Sequence, residues 1–217
     1  MLREYQKDCC SGYIDFSKAT IPKMEVDLAD WNLWLSFATI IFNPLYWNIA
    51  ARWEYRSHSF SRLIRNKYVA CFLLGASIFI LGIYRDMRFN YALDSQPRCY
   101  ILQQNWLLWS GYFCMLVGTT LVVTSYYRLG FYGTFLGDYF GILMEEKVNS
   151  FPFSIIDNPM YWGSFLNFLG GALIKASLAG VILSLVVGVC YTIATMFEGP
   201  FTSMIYEERN RKLNKMA

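Results

Sequence analysis

The sequence predicts an all-α integral membrane protein, a bundle of four to five hydrophobic helices ending in a C-terminal helical hairpin. Three observations carry that prediction. First, 55% of the 217 residues are hydrophobic and only 16% are charged, against about 25% charged in soluble domains. Second, the charges are segregated: residues 31–51, 68–84, 99–127, 158–174 and 176–197 contain no Asp, Glu, Lys or Arg. About 17–25 apolar residues suffice for a helix to cross a bilayer. Third, Trp and Tyr crowd the ends of these runs, at Trp31, Trp34, Trp53, Tyr84, Trp106, Tyr126, Tyr127 and Trp162. That is the placement of an interfacial aromatic belt.

Taken in order, residues 1–30 form a polar segment with four basic and six acidic side chains and no apolar core. That is unlike a cleavable signal peptide, so the run 31–51 is expected to direct insertion. Asn43-Pro44 falls inside it. Proline lacks an N–H and disfavours helix at the residue before it, so a break is expected there, leaving the run to span or to re-enter. The runs 68–84 and 158–174 sit at the short limit for spanning. The last two runs read as one hairpin. Asn158-Pro159-Met160-Tyr161-Trp162-Gly163 opens it and Glu198-Gly199-Pro200-Phe201 closes it. Between them lie 34 almost wholly apolar residues with one charge, Lys175. If the chain turns near Lys175-Ala176-Ser177, Asn158 and Glu198 meet on one membrane face. A carboxylate would then stand at the mouth of a helix pair, which suits chemistry at a membrane surface. The lone carboxylate at a helix C-terminus would be disfavoured by the dipole, so a cationic partner is expected. The domain limits follow: a polar segment 1–30, a membrane-embedded domain 31–206 and a charged tail 207–217.

With all five runs inserted, 51–67, 128–157 and the tail from Glu198 share one side and hold eleven of the 19 Lys and Arg residues. The positive-inside rule puts that side, and both bracketing motifs, in the cytosol. The net charge of +3 makes no case for a nucleic-acid partner. The six cysteines have no metal-ligand spacing, and none of the motifs requires a metal. Cys71, Cys114 and Cys190 read as small apolar residues. A transporter would call for charges within the spans, and the central runs have none. Within 128–157, Gly133, Gly137 and Gly141 recur every four residues. On one helical face such a stripe permits close approach of another helix or of a ligand. An echo links the chain's two halves: Asn43-Pro44-Leu45-Tyr46-Trp47 and Asn158-Pro159-Met160-Tyr161-Trp162 share N-P-(L/M)-Y-W.

Longer strings carry a resemblance. They are Leu129-Gly130-Phe131-Tyr132-Gly133-Thr134-Phe135-Leu136-Gly137-Asp138-Tyr139-Phe140-Gly141, then Phe151-Pro152-Phe153 with Asp157-Asn158-Pro159-Met160-Tyr161-Trp162-Gly163-Ser164, then Pro200-Phe201-Thr202 with Ile205-Tyr206. Phe42-Asn43-Pro44-Leu45-Tyr46-Trp47-Asn48 and Ala51-Arg52-Trp53-Glu54 belong with them. Over about residues 35–206 the chain resembles the phosphatidylethanolamine N-methyltransferases. Gly82-Ile83-Tyr84-Arg85-Asp86-Met87 leans toward the fungal branch, which acts on mono- and dimethylethanolamine lipids. A fainter likeness joins it to isoprenylcysteine carboxyl methyltransferases.

The resemblance implies S-adenosyl-L-methionine as cofactor, an ethanolamine phospholipid as acceptor and phosphatidylcholine as product. It implies an endoplasmic reticulum membrane, with a mitochondrial one as a second setting. Two elements would bind the cofactor. One is a G-x-G, which here reads Leu116-Val117-Gly118 and lacks the first glycine. The other is a Glu-Glu pair, which here reads Glu198-Gly199 and lacks the second acid. Asn158, Pro159, Gly133 and Gly137 join the expected cofactor site. Glu198, Asp138 and Tyr161 are the expected catalytic groups. Aromatic faces and a carboxylate suit a sulfonium or a methylated ammonium, and Tyr132, Tyr139, Tyr161 and Trp162 are candidates for those faces. Glu198 or Asp138 could take the proton an amine must lose before it attacks. The alternatives are another lipidic acceptor, such as an isoprenylated cysteine, and a non-catalytic lipid binder or transporter.

Overall fold

In the computed structural model, which describes residues 26–145 and 148–215, the regular elements are helices. Helix α1 covers Trp31–Ser57, α2 Ser59–Ile64, α3 Lys67–Ser95, α4 Asn105–Thr134, α5 Pro159–Ile174 and α6 Leu178–Asn214. Short 3-10 turns lie at Tyr100–Leu102 and Gly137–Phe140. By length and composition α3, α4 with its continuation to Phe140, and α6 can cross a membrane. Cys9-Cys10, most of the polar segment 1–30, Glu146 and Lys147 lie outside the described residues.

Helix α1 runs unbroken for 27 residues, about 40 Å at 1.5 Å per residue. The break expected at Asn43-Pro44 does not occur. Pro44 forfeits one backbone hydrogen bond, but neighbouring side chains hold the helix against α3. Asn43 Nδ2 donates to the Leu81 carbonyl at 3.2 Å, and the Tyr46 and Ser77 hydroxyls lie 2.8 Å apart. Tertiary contacts thus override the local signal.

The N-terminus of α1 is tied down by Asp30. One carboxylate oxygen accepts the Asn32 amide at 2.9 Å, the usual N-cap bond. The other accepts from Ser95 Oγ and Gln96 Nε2 at the end of α3. Burial alone would raise the Asp30 carboxyl, but hydrogen bonds from Ser95, Asn32 and Gln96 outweigh it and hold it below its ordinary 3.8. A carboxylate lowered on folding stabilises above its unfolded pKa and loses that stabilisation as pH falls through the folded value. The thermal midpoint of the wild type should therefore exceed that of Asp30→Asn by its full margin above pH 3.8. The margin should close below that. A margin independent of pH would show that the charge contributes nothing.

The tightest helix pair is α4 with α5. Gly111 and Gly118 of α4 face Gly170 and Gly163 of α5 so closely that no Cβ fits. One at Gly118 would lie 2.6 Å from the Gly163 carbonyl and 2.6 Å from Asn167 Oδ1, and one at Gly163 would lie 2.6 Å from the Gly118 carbonyl. Small residues allow this approach where lipid supplies no hydrophobic drive between helices. Helix α5 has only 16 residues, about 24 Å, and lies between α4 and α6. The turn to α6 falls at Lys175-Ala176-Ser177, as the charge pattern predicted. Ser177 caps α6 through its hydroxyl, which accepts the Gly180 amide.

Three expectations are corrected here. First, α3 does not stop at Tyr84. It continues to Ser95 and carries Arg85 into the interior, 9% exposed. An unpaired buried guanidinium would be costly. Arg85 meets Asp86 at 2.8 Å, donates to Tyr191 Oη at 2.5 Å and stacks 4.9 Å over the Phe168 ring. Second, α6 does not stop at Glu198. It runs to Asn214 despite Pro200, because Phe201 packs on Tyr139 at 4.9 Å and Ile205 is buried. Glu198 is therefore mid-helix, and no helix terminus disfavours its charge. The tail 207–214 continues the same helix. Third, Gly133, Gly137 and Gly141 share no helical stripe, since α4 kinks at Gly130 (φ 63°) and ends at Thr134. Gly141 is left-handed at φ 69° and closes the 3-10 turn.

The helices gather their connections at two ends. At one, Asp27 and Asp30 meet Gln96, Cys99 N–H donates to the Ala176 carbonyl, and Lys175 pairs with Asp94. At the other, Lys67 Nζ donates to the Gly141 carbonyl, Tyr55 Oη to Glu208, and Arg209 Nη1 to the Met144 carbonyl. Residues 51–67, 137–145 and 198–209 thus share one end.

Candidate active site

The site lies at that second end, where α1, α5 and α6 meet. Glu198 projects from α6 toward two residues of α1 and one of α5. Its Oε1 accepts from Trp47 Nε1 at 2.6 Å and from Asn48 Nδ2 at 2.8 Å. Its Oε2 accepts from Tyr161 Oη at 2.5 Å. The first N-P-(L/M)-Y-W motif contributes its Trp and the residue after it; the second contributes its Tyr. Read locally, each copy of the repeated motif is a helix start or break at Asn-Pro. In the fold it places donors from opposite halves of the chain on one carboxylate.

Aromatic rings close round this carboxylate. Tyr161 and Tyr191 have ring centroids 5.0 Å apart, and Trp47 is 6.4 Å from each. Tyr191 in turn receives the Arg85 bond, so the buried cation of α3 fixes the rear of the aromatic group. Arg85 falls just past the charge-free run 68–84, so run length alone gives no sign of this role. Trp47 and Tyr191 are buried, whereas the Trp and Tyr residues expected at the membrane interface are all exposed.

One turn further along α6, Thr202 Oγ1 donates to Asp138 Oδ2 at 2.7 Å. Asp138 belongs to the Gly137–Phe140 turn, and Tyr139 beside it stacks on Phe201. Glu198 and Asp138 are thus two carboxylates on one side of α6, a turn apart. Among the described residues neither forms an ion pair with a Lys or Arg. Glu198 is held by neutral donors alone. Two buried polar atoms nearby have no partner: Asn48 Oδ1 and Tyr139 Oη. An orphaned acceptor beside an unpaired carboxylate calls for a ligand that is cationic or donates N–H. A sulfonium or an ammonium meets that demand, so these residues fit S-adenosylmethionine and a lipid amine.

The other expected residues divide. Asn158 is left-handed at φ 54° and exposed, with no capping bond from its side chain. Pro159 is buried at the first turn of α5, two residues before Tyr161. The Asn158 carbonyl accepts the Tyr161 amide at 3.1 Å, in the first turn of the helix that carries Tyr161. Gly199 is exposed, with nothing within 4 Å of a Cβ built on it. Gly118 is buried against Gly163 and Asn167 of α5, while Leu116 is 67% exposed on the outer face of α4. Val117 lies between them, half-buried. Gly137 is buried, and a Cβ there would lie 2.7 Å from the Tyr132 carbonyl; Gly133 faces Leu129 and Met144. Tyr132 packs edge-on to Tyr68, and Trp162 packs edge-on to Phe165.

This is the architecture of a membrane-embedded helical protein whose polar site lies at one end of the bundle. A sequence model described as phospholipid methyltransferase matches residues 106–209. The phosphatidylethanolamine N-methyltransferase of Rattus norvegicus is 47% identical, over 82% of this chain and 90% of its own length. The phosphatidyl-N-methylethanolamine N-methyltransferase of Saccharomyces cerevisiae is 46% identical, over 88% of this chain and 93% of its own. That of Emericella nidulans is 43% identical, over 94% of each. No solved structure matches the chain. The chain belongs to the phospholipid methyltransferase family.

Proposed function

We propose that the protein methylates the amine of ethanolamine phospholipids at the Glu198 site, using S-adenosylmethionine and leading to phosphatidylcholine. The observation that carries this reading is the Glu198 carboxylate, ringed by Trp47, Tyr161 and Tyr191 and bonded only to neutral donors. When bound, S-adenosylmethionine supplies a methyl group activated by its sulfonium. Glu198 supplies the negative charge that favours a cation here, and the rings supply apolar, electron-rich faces. The same rings keep water away, which strengthens the electrostatic attraction. A primary or secondary amine is mostly protonated in water and must lose its proton before attack. Glu198 and Asp138 are the acceptors at hand, and Thr202 orients Asp138. Positioning of the amine accounts for most of the acceleration.

Labelled S-adenosylmethionine supplied to membranes of a strain lacking its own phosphatidylcholine methylation, with this protein expressed, tests the reading. Label in dimethylethanolamine lipid and phosphatidylcholine is expected. Label only in an isoprenylated protein would assign the runner-up acceptor.

The protein resides, in this reading, in the endoplasmic reticulum membrane with its C-terminus and the Glu198 end in the cytosol. The excess of Lys and Arg at that end supports it. A cysteine introduced at Ser150 should react with an impermeant maleimide from the cytosolic side. Reaction only from the lumen would invert the topology.

A further inference from the structure

Beside the carboxylate pair, Arg52 is a cation that forms no ion pair among the described residues. Arg52 lies on α1 one turn beyond Asn48. Its Nη2 donates to the Phe197 carbonyl at 2.8 Å, and the guanidinium stacks 4.5 Å over the Phe201 ring. Among the described residues it meets no carboxylate. A guanidinium carries five N–H donors, and this one spends a single donor on protein. The face left over is planar and forked, the geometry that takes a phosphate in two parallel bonds.

Its neighbours indicate which phosphate. Arg52 follows Asn48 by one turn of α1, so their Cβ atoms lie about 5–6 Å apart on one side of the helix, and Asn48 Oδ1 is buried without a donor. A two-carbon ethanolamine linker separates phosphate and amine by about one helical turn, so both can sit on this side of α1. On the adjacent outer face of the same helix an apolar groove of about 260 Å³ is lined by Phe42, Leu45, Ile49, Trp53 and Phe60. Groove, cation and orphaned acceptor follow one another round α1 in the order acyl chain, phosphate, amine.

We propose that Arg52 binds the phosphodiester of the lipid acceptor and so sets the amine at Asn48 and Glu198, with an acyl chain in the Leu45–Trp53 groove. This deepens the reading above and rests on it. It makes α1 the lipid-reading helix and Arg52 a binding residue that selects phospholipids over other lipid amines.

The test uses the full-length protein in neutral vesicles with two acceptors. One is phosphatidyl-N-methylethanolamine. The other is a long-chain alkyl ether of N-methylaminoethanol, which has the amine and chain but no phosphate. For each protein the ratio of kcat/KM between the two acceptors is read, so that partial loss of folded protein cancels. Arg52→Gln is expected to lower the ratio about tenfold or more, with the KM for S-adenosylmethionine unmoved. Arg52→Lys keeps the charge but not the fork, and is expected to fall between; it also serves if the Gln variant does not fold. An unchanged ratio in both variants overturns the proposal. So does a raised KM for S-adenosylmethionine with the ratio intact, which would put the cofactor's carboxylate on Arg52. Methylation of neither acceptor by the wild type would sink the functional reading itself.

Discussion

Glu198→Gln is expected to weaken S-adenosylmethionine binding or turnover about tenfold or more, roughly 1.4 kcal/mol, in protein that still inserts. The substitution is nearly isosteric, so the volume among Trp47, Asn48 and Tyr161 is preserved. What changes is the charge, and with it one of the two acceptor oxygens. Three donors converge on the carboxylate, so the amide also turns its own N–H₂ toward one of them. Comparing the sulfonium cofactor with its neutral thioether product separates the two effects. Loss of charge should weaken the cofactor more than the product. A packing fault should weaken both alike. Equal affinities in the wild type and the variant would move the anchor elsewhere, with Asp138 next in line.

Gly118→Leu is expected to remove activity by a different route. Any Cβ at Gly118 meets the Gly163 carbonyl at 2.6 Å, and that oxygen is backbone, so relief requires α4 and α5 to move apart. Overpacking of this kind typically costs about 1–3 kcal/mol, and a contact with backbone places this one at the upper end. Gly163→Leu should match it, since its Cβ meets the Gly118 carbonyl at the same distance. The thermal midpoint should fall in both variants, and methyl transfer should fall with it. Leu116→Gly restores the G-x-G that the family resemblance implies yet touches only the outer face of α4, so cofactor affinity should hardly change. Normal stability in Gly118→Leu with cofactor binding abolished would instead mean that Gly118 faces the ligand.

The hairpin and its carboxylate were legible in the sequence because their signals are local. Apolar runs, a single Lys175 at the turn and bracketing polar motifs are all read within about forty residues, and they brought Tyr161 and Glu198 to one end. Trp47 and Asn48 belong to a recognisable motif, but their partner lies about 150 residues away. No periodicity reports a pairing at that separation. The echo between the two N-P-(L/M)-Y-W strings was the available signal, and its meaning was a shared acceptor. Helix ends misled in one direction only. Arg85 and Glu198-Gly199-Pro200 looked like boundaries because charge and proline usually end apolar helices. Here Tyr191 and Phe168 receive Arg85, and Phe201 and Ile205 carry α6 onward. Packing outweighed punctuation at the residues that build the site.

In the reading proposed above, the Glu198 end of this bundle transfers methyl groups to phospholipid amines. The most direct measurement is made with purified protein in vesicles of defined lipid holding phosphatidyl-N-methylethanolamine. Labelled S-adenosylmethionine is added and lipid products are separated with time. The account predicts label in dimethylethanolamine lipid and then in phosphatidylcholine, and a strongly reduced rate with Glu198→Gln. Wild-type protein that binds S-adenosylmethionine but leaves the lipid unlabelled would contradict it.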